Sequence, residues 1–186
     1  MDLLQRLHTG TPPTLVERLN WLLDIAYAYK YLHTLESPVY HRDLKPNNVL
    51  LDANGRAAIA DFGMSKVHSM YAYSKQRQPK IGHYAYAPPE SFIRGYKVAS
   101  GYDVYSFGMT MYEVLGRLAP FNNVARDPQT VIQLVKNGVR PTREETVDHI
   151  SDECWALIDE CWAQDETARP DFGTICEIIT QIISKQ

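Results

Sequence analysis

Cysteine is scarce in this chain of 186 residues, which has only Cys154, Cys161 and Cys176. An odd and sparse set argues against a disulfide framework and fits a reducing compartment, so we expect a cytoplasmic protein. Cys154 and Cys161 share one face of a predicted helix, but neither has the close cysteine or histidine partners of a zinc site. All three are therefore predicted to be buried apolar residues.

Long hydrophobic runs and an excess of one charge are also lacking. No apolar run approaches the ~20 residues that span a bilayer, and residues 1–10 lack the basic-then-apolar order of a signal peptide. The formal net charge is only −3, which predicts neither a membrane nor a nucleic acid as partner. The length and the 45% apolar content predict one globular domain with a substantial core.

A polar segment, His41–Asn48, lies between two apolar stretches of the chain. Before it, apolar residues recur at helical spacing from residue 15 to 35. After it, the short runs Val49–Leu51 and Ala57–Ala60 flank an Asn54-Gly55 turn, which predicts a β-hairpin. The polar segment is therefore a predicted loop between a helix and a rigid hairpin, where catalytic groups often lie.

The polar groups in and after this loop suit phosphoryl transfer, in which catalysis is mostly positioning and charge neutralisation. Asn48 and Asp61, from the two ends of the hairpin, offer oxygen ligands of the kind that magnesium prefers. Asp43 can orient or deprotonate a hydroxyl nucleophile. Lys45 can lie beside a phosphate as a point charge without competing for the metal.

The motifs resemble those of the eukaryotic protein kinases. The catalytic-loop pattern H-R-D-L-x-x-x-N is matched in full by residues 41–48, D-F-G by residues 61–63, and A-P-E by residues 87–90 in a Pro-Pro-Glu variant. Residues 103–108 resemble the start of the long central helix of the C-terminal lobe, and Arg169 resembles the late arginine that pairs with the A-P-E glutamate, here Glu90. Five motifs in order are a specific signal.

The resemblance implies a fold class and a set of roles. The fold would be mainly α, a kinase-like C-terminal lobe in which a short β-hairpin carries the catalytic loop. Asp43 would be the base, Lys45 a contact of the ATP phosphate, and Leu50 would lie under the adenine. Asn48 and Asp61 would hold Mg²⁺ and complete the ATP site, and the substrate would be a protein hydroxyl. In the resemblance, Lys45 favours a Ser/Thr-type loop. The sequence D-V-Y-S-F-G at residues 103–108 and the predicted helix with Cys154-Trp155 and Cys161-Trp162 suggest the tyrosine-kinase-like group.

Four further residues receive structural or regulatory expectations from the resemblance. His41 is expected to be a core residue that stacks under Phe62, and His33 to be structural. Asp103 is expected to accept hydrogen bonds from backbone amides of the catalytic loop. Arg42 would bind a phosphorylated activation-segment residue, since a guanidinium binds phosphate bidentately, or else form an ordinary ion pair.

Residues 64–80 resemble the activation segment and, lacking any sustained period, are predicted to be a mobile loop open to a regulatory kinase or partner. A departure from the family follows it, since His83 stands where Ser/Thr kinases usually have threonine. The candidate phosphorylation sites in the segment are Ser65, Ser69, Tyr71, Tyr73 and Ser74.

The chain contains no G-x-G-x-x-G and nothing like V-A-I-K before the catalytic loop. The expectation is therefore that residues 1–186 are the C-terminal lobe alone, without most of the nucleotide clamp, and that this chain by itself transfers phosphate slowly or not at all. A catalytically silent interaction module is the alternative. A small-molecule phosphotransferase of related fold ranks lower, because such enzymes generally lack the activation segment and the A-P-E-like motif.

Overall fold

A computed structural model describes residues 1–67, 84–124 and 127–186 of the chain. These residues form a helical bundle with two small antiparallel sheets, which confirms the predicted mainly helical class. The helices are α1 (Leu3–His8), α2 (Leu15–His33), α3 (Ser100–Gly116), α4 (Pro128–Lys136), α5 (Asp152–Cys161) and α6 (Phe172–Ile183). The strands are β1 (Val39–Tyr40), β2 (Val49–Leu51), β3 (Ala57–Ile59) and β4 (Lys66–Val67).

Helix α2 leads into the polar loop, and local sequence explains where it begins. The Thr14 hydroxyl accepts a hydrogen bond from the Glu17 amide (3.2 Å), and the Glu17 carboxylate accepts one from the Thr14 amide (2.7 Å). This reciprocal pair is a capping box, which satisfies amides that the helix start leaves without partners. The buried face of α2 packs against α6 and β3. This packing fixes the position of the C-terminal end of α2, from which the chain continues into the loop.

Helix α3 is the centre of the molecule, because every residue from 101 to 116 is buried. A helix that is buried on all sides must satisfy its polar side chains within the protein. Thr110 does so by donating to the Ser106 carbonyl, and the Ser106 hydroxyl donates to the carbonyl of Tyr86 (2.8 Å each). The helix begins two residues before the predicted start at Tyr102 and ends at Gly116.

The predicted hairpin is present, with Val49 opposite Ile59 and Leu51 opposite Ala57. The turn uses Gly55 at φ +76°, a left-handed conformation that glycine adopts without a Cβ penalty. The hairpin is fixed to α2, because the Asp24 carboxylate accepts three hydrogen bonds from the Arg56 guanidinium and one from the Ala57 amide.

The second sheet corrects one prediction from the sequence. Residues 66–67, assigned to a loop, form β4 and pair with β1, with Val39 opposite Val67 and Tyr40 opposite Lys66. The remainder of the predicted activation segment, residues 68–80, lies outside the described residues. A two-residue strand shows no periodicity of its own, so only its partner from before the catalytic loop defines it.

The core is one hydrophobic cluster to which all six helices contribute. Cys154, Cys161 and Cys176 are buried in it as free thiols, as predicted, and burial raises the pKa of each. Among the described residues, no helix combines the length and apolarity needed to cross a membrane.

Candidate active site

The loop between β1 and β2 brings three of the predicted site residues together. The Asn48 amide nitrogen donates to the backbone carbonyl of Asp43 (2.7 Å) and to its carboxylate (2.8 Å). The Lys45 ammonium lies 3.6 Å from the same carboxylate oxygen. Asp43 and Asn48 are 7% and 8% exposed, so the carboxylate is held in a fixed position with access to the surface.

Asp61 lies at the other end of the hairpin, next to this group. The Ala60 amide donates to the Asn48 carbonyl (2.8 Å), so the backbone before Asp61 is joined directly to Asn48. Asp61 has φ +59°, a left-handed conformation that is uncommon for a residue with a side chain, and its exposed carboxylate accepts from the Gly63 amide (3.2 Å). Leu50, on β2, leaves 48% of its surface exposed.

A buried carboxylate from α3 holds the backbone of the loop. Asp103 is fully buried and accepts from the amides of His41 (2.9 Å) and Arg42 (2.7 Å). His33, at the end of α2, places its Nε2 3.0 Å from the same carboxylate. The expectation that Asp103 shapes the loop through backbone amides is therefore confirmed, and His33 joins the same structural network.

His41 links the loop to the segment after Asp61. Its ring is fully buried, with Nε2 3.0 Å from the Ala60 carbonyl, and lies edge-on to the Phe62 ring at 4.9 Å between centroids. The prediction that His41 is a core residue in contact with Phe62 is confirmed, but the predicted stacking is wrong, because the two ring planes meet at 81°.

Comparison with known proteins decides the family. Residues 1–179 match the family model described as protein tyrosine and serine/threonine kinase. The chain belongs to the protein kinase family. Kinases of this family generally use ATP and Mg²⁺ and act on protein substrates.

The individual kinases that the chain resembles include proteins from two mammals and a plant. It is 36% identical over 164 residues to receptor-interacting serine/threonine-protein kinase 2 of Bos taurus, a match that covers 83% of this chain and 30% of that protein. Ankyrin repeat and protein kinase domain-containing protein 1 of Mus musculus is 33% identical, covering 90% of this chain and 23% of that protein. LysM domain receptor-like kinase 10 of Oryza sativa is 42% identical over 60% of this chain and 18% of that protein. The chain thus spans less than a third of the length of each.

The A-P-E-like segment of this kinase domain is tied to the far side of the bundle. The Arg169 guanidinium donates to both carboxylate oxygens of Glu90 (2.6 and 3.0 Å), to the Gly101 carbonyl (2.9 Å) and to the Ala163 carbonyl (2.9 Å). The predicted pairing of Arg169 with Glu90 is confirmed. Because the Arg169 side chain is fully buried, the pair is protected from water and from screening by salt.

Sequence reasoning missed a second buried carboxyl near this kinase's A-P-E-like segment. Glu113 of α3 is 2% exposed and accepts a hydrogen bond from the Tyr86 hydroxyl. Burial raises the pKa of the Glu113 carboxyl to about 7, and the hydrogen bond from Tyr86 opposes that rise. The only sequence signal was a glutamate within an otherwise apolar helix, which requires a partner when buried.

Two regulatory expectations for the kinase can be placed only in part. Arg42 has φ +68°, and its guanidinium lies over the Tyr102 ring at 6.0 Å. The Ser65 hydroxyl is buried without a hydrogen-bond partner among the described residues, so it is poorly placed for modification in this conformation. The other candidate phosphorylation sites and His83 lie outside the described residues.

Proposed function

We propose that this chain carries the phosphoryl-transfer centre of a serine/threonine protein kinase, which moves the γ-phosphate of ATP to a protein hydroxyl. The observation that carries the proposal is the bond between Asn48 and Asp43 beside the backbone link from Asn48 to Ala60. These bonds support the proposal because they join the loop that carries Asp43 to Asn48, and Asn48 to the residue before Asp61.

Asp43 is the proposed base. Its carboxylate is oriented by the Asn48 amide and stays close to the Lys45 ammonium, so it can accept the proton of a substrate hydroxyl in a fixed direction. Lys45 would neutralise charge on the transferred phosphoryl group. Lysine at this position supports Ser/Thr over tyrosine specificity.

The donor set fits a magnesium ion. The side-chain nitrogen of Asn48 donates to Asp43, so the side-chain oxygen of Asn48 is the atom proposed as a metal ligand. Asp61 adds an exposed carboxylate. Among the described residues, no cluster of three or more His, Cys, Asp or Glu side chains forms a dedicated metal cage. Magnesium is typically held by one or two protein oxygens together with phosphate and water, and when bound it neutralises phosphate charge.

Leu50 is proposed to pack against the adenine ring. Its apolar side chain lies on β2, two residues after the proposed metal ligand Asn48, and remains half exposed. The helical bundle that carries this hairpin supports assignment to the C-terminal lobe. The motif wording at residues 103–108 supports the tyrosine-kinase-like group, as does similarity to receptor-interacting and receptor-like kinases.

Paramagnetic NMR tests the metal site directly. Mn²⁺ titrated into the 186-residue chain in the presence of ATP should broaden amide signals around residues 43–48 and 60–63. Asp61→Asn should abolish that broadening, whereas Asp165→Asn, a change of an exposed aspartate in a loop, should not. Broadening centred elsewhere in the wild type, or unchanged in Asp61→Asn, would contradict the proposed site.

A radiolabelled ATP assay on a generic protein substrate tests the reaction. Since the 186 residues contain no glycine-rich phosphate loop, we expect slow or undetectable transfer by this chain alone. Any transfer should disappear in Asp43→Ala. Rapid turnover that this change abolishes would refute the expected weak activity, and turnover that survives it would refute Asp43 as base. Detectable transfer that Asp43→Ala abolishes would exclude the alternative of a silent interaction module.

A further inference from the structure

Four aromatic rings form a continuous row from the outer helix α6 to the candidate metal site. Phe172 of α6 stacks on Tyr29 of α2, with 4.8 Å between centroids and 13° between planes. Tyr29 lies edge-on to His41 at 6.1 Å, and His41 lies edge-on to Phe62 at 4.9 Å. Phe62 directly follows Asp61, so the row ends beside the proposed metal ligand.

Tyr29 belongs to this row but has no role in the proposed phosphoryl-transfer chemistry. It is fully buried, and its hydroxyl has no hydrogen-bond partner among the described residues. A buried hydroxyl without a partner is unfavourable, so the hydroxyl does not explain why a tyrosine is tolerated here. The ring does make specific contacts, because it is stacked on Phe172 and touches both His33 and His41 edge-on.

The contact with His41 matters because the other end of the row is weakly supported. Phe62 leaves 48% of its surface exposed and Asp61 adopts a left-handed backbone. His41, in contrast, is fixed by the Asp103 carboxylate at its amide and faces the Ala60 carbonyl with its ring. The position of Phe62, and with it the direction of Asp61, therefore depends on how firmly the His41 ring is held from below.

We propose that Tyr29 is a positioning residue for the phosphoryl-transfer site: its ring, stacked on Phe172, fixes the His41 ring and thereby the Phe62–Asp61 segment. The expected effect on metal binding rests on the proposed function. The expected effect on the positions of the His41 and Phe62 rings does not. It assigns the effect to the aromatic ring and none of it to the hydroxyl. It connects helices α2 and α6 to the proposed metal ligand Asp61 through the rings of His41 and Phe62.

The test compares four variants of the 186-residue chain. Tyr29→Leu removes the ring, Tyr29→Met removes it while keeping most of the buried volume, and Tyr29→Phe removes only the hydroxyl. Tyr112→Leu is the matched control, because Tyr112 is also fully buried but packs with Trp155 and Trp162, away from the row. Should Tyr29→Leu fail to fold, Tyr29→Met carries the comparison, since methionine fills irregular gaps in a core.

Two measurements separate the geometric claim from the proposed function. The first is the nuclear Overhauser effect between the His41 and Phe62 rings, which needs no ligand. The second is the dissociation constant of Mn²⁺ in the presence of ATP. We expect the ring contact to weaken and the Mn²⁺ dissociation constant to rise about tenfold in Tyr29→Leu and Tyr29→Met, the lower end of the loss seen when residues that orient metal ligands are changed. Tyr29→Phe and Tyr112→Leu should match the wild type in both measurements.

Three results would overturn the proposal. One is an unchanged ring contact and Mn²⁺ affinity in the two ringless variants. The second is an equal loss in Tyr112→Leu, which would reduce the effect to general stability. The third is an equal loss in Tyr29→Phe, which would assign it to the hydroxyl. If the wild type binds no Mn²⁺ near Asp61, the proposed function fails, and the ring contact alone then decides on positioning.

Discussion

At the scale of single residues, burial disfavours the charged form of the Glu113 carboxyl. It is buried in the central helix, and its carboxylate accepts a hydrogen bond from the Tyr86 hydroxyl. Its pKa is raised from the ordinary 4.5 to about 7, chiefly by burial. Between these two values the folded protein keeps a proton that the unfolded chain has released, so folding is favoured most at the acidic end of that range.

This linkage predicts a fall in stability as the pH rises. The contribution of Glu113 is fully present below pH 4.5 and is lost as the pH rises through about 7, with an upper limit of roughly 3 kcal/mol. Glu113→Gln, which cannot ionise, should remove that component, and the exposed change Glu144→Gln should leave it in place. Urea unfolding at pH 4.5 to 8 measures both slopes. A Glu113→Gln slope identical to that of the wild type would show that Glu113 is not the group responsible.

At the scale of elements, the sequence predicted those helices and strands whose signals lie close together in the chain. The start of α2 near residue 15 was predicted because the apolar residues that recur at helical spacing lie within a few turns of one another. Strands β1 and β4 were missed because each has two residues, and their pairing joins residue 39 to residue 67. No property of residues 66–67 alone distinguishes a strand from a loop, and the partner lies across the catalytic loop and the hairpin.

The capping box of α2 gives the prediction at this scale. Thr14→Ala removes the acceptor for the Glu17 amide and should lower the free energy of unfolding by about 1 kcal/mol. Thr14→Ser keeps the hydroxyl and should stay close to the wild type. Thermal and urea unfolding compare the two variants directly. Equal loss in both would mean that the methyl group of Thr14, and not its hydroxyl, stabilises the start of the helix.

At the scale of the whole molecule, the sequence motifs predicted several contacts around the candidate site but not everything that supports it. The link of Asp103 to the loop and the pairing of Glu90 with Arg169 followed from the resemblance. The contact of Tyr86 with Glu113 and the stacking of Tyr29 on Phe172 did not. Both join elements far apart in the chain through ordinary residue types, so only three-dimensional packing brings them together.

The pair of Glu90 and Arg169 is the contact through which the bundle as a whole fixes the A-P-E-like segment. Glu90→Ala would leave a fully buried guanidinium with only the carbonyls of Gly101 and Ala163 as acceptors. Breaking a buried pair in this way should cost about 3 to 5 kcal/mol. Hydrogen exchange should also accelerate at the amide of Ser91, which donates to the Pro88 carbonyl.

An exposed pair in the same chain provides the control for this prediction. Lys185 and Glu153 are 2.6 Å apart, but their side chains are 58% and 49% exposed. Lys185→Ala should therefore change the free energy of unfolding by no more than about 0.5 kcal/mol. An equally small loss of unfolding free energy in Glu90→Ala and Lys185→Ala would mean that water replaces Glu90 as the partner of the Arg169 guanidinium. The A-P-E-like segment would then be held by its own short 3₁₀ turns and not by the far side of the bundle.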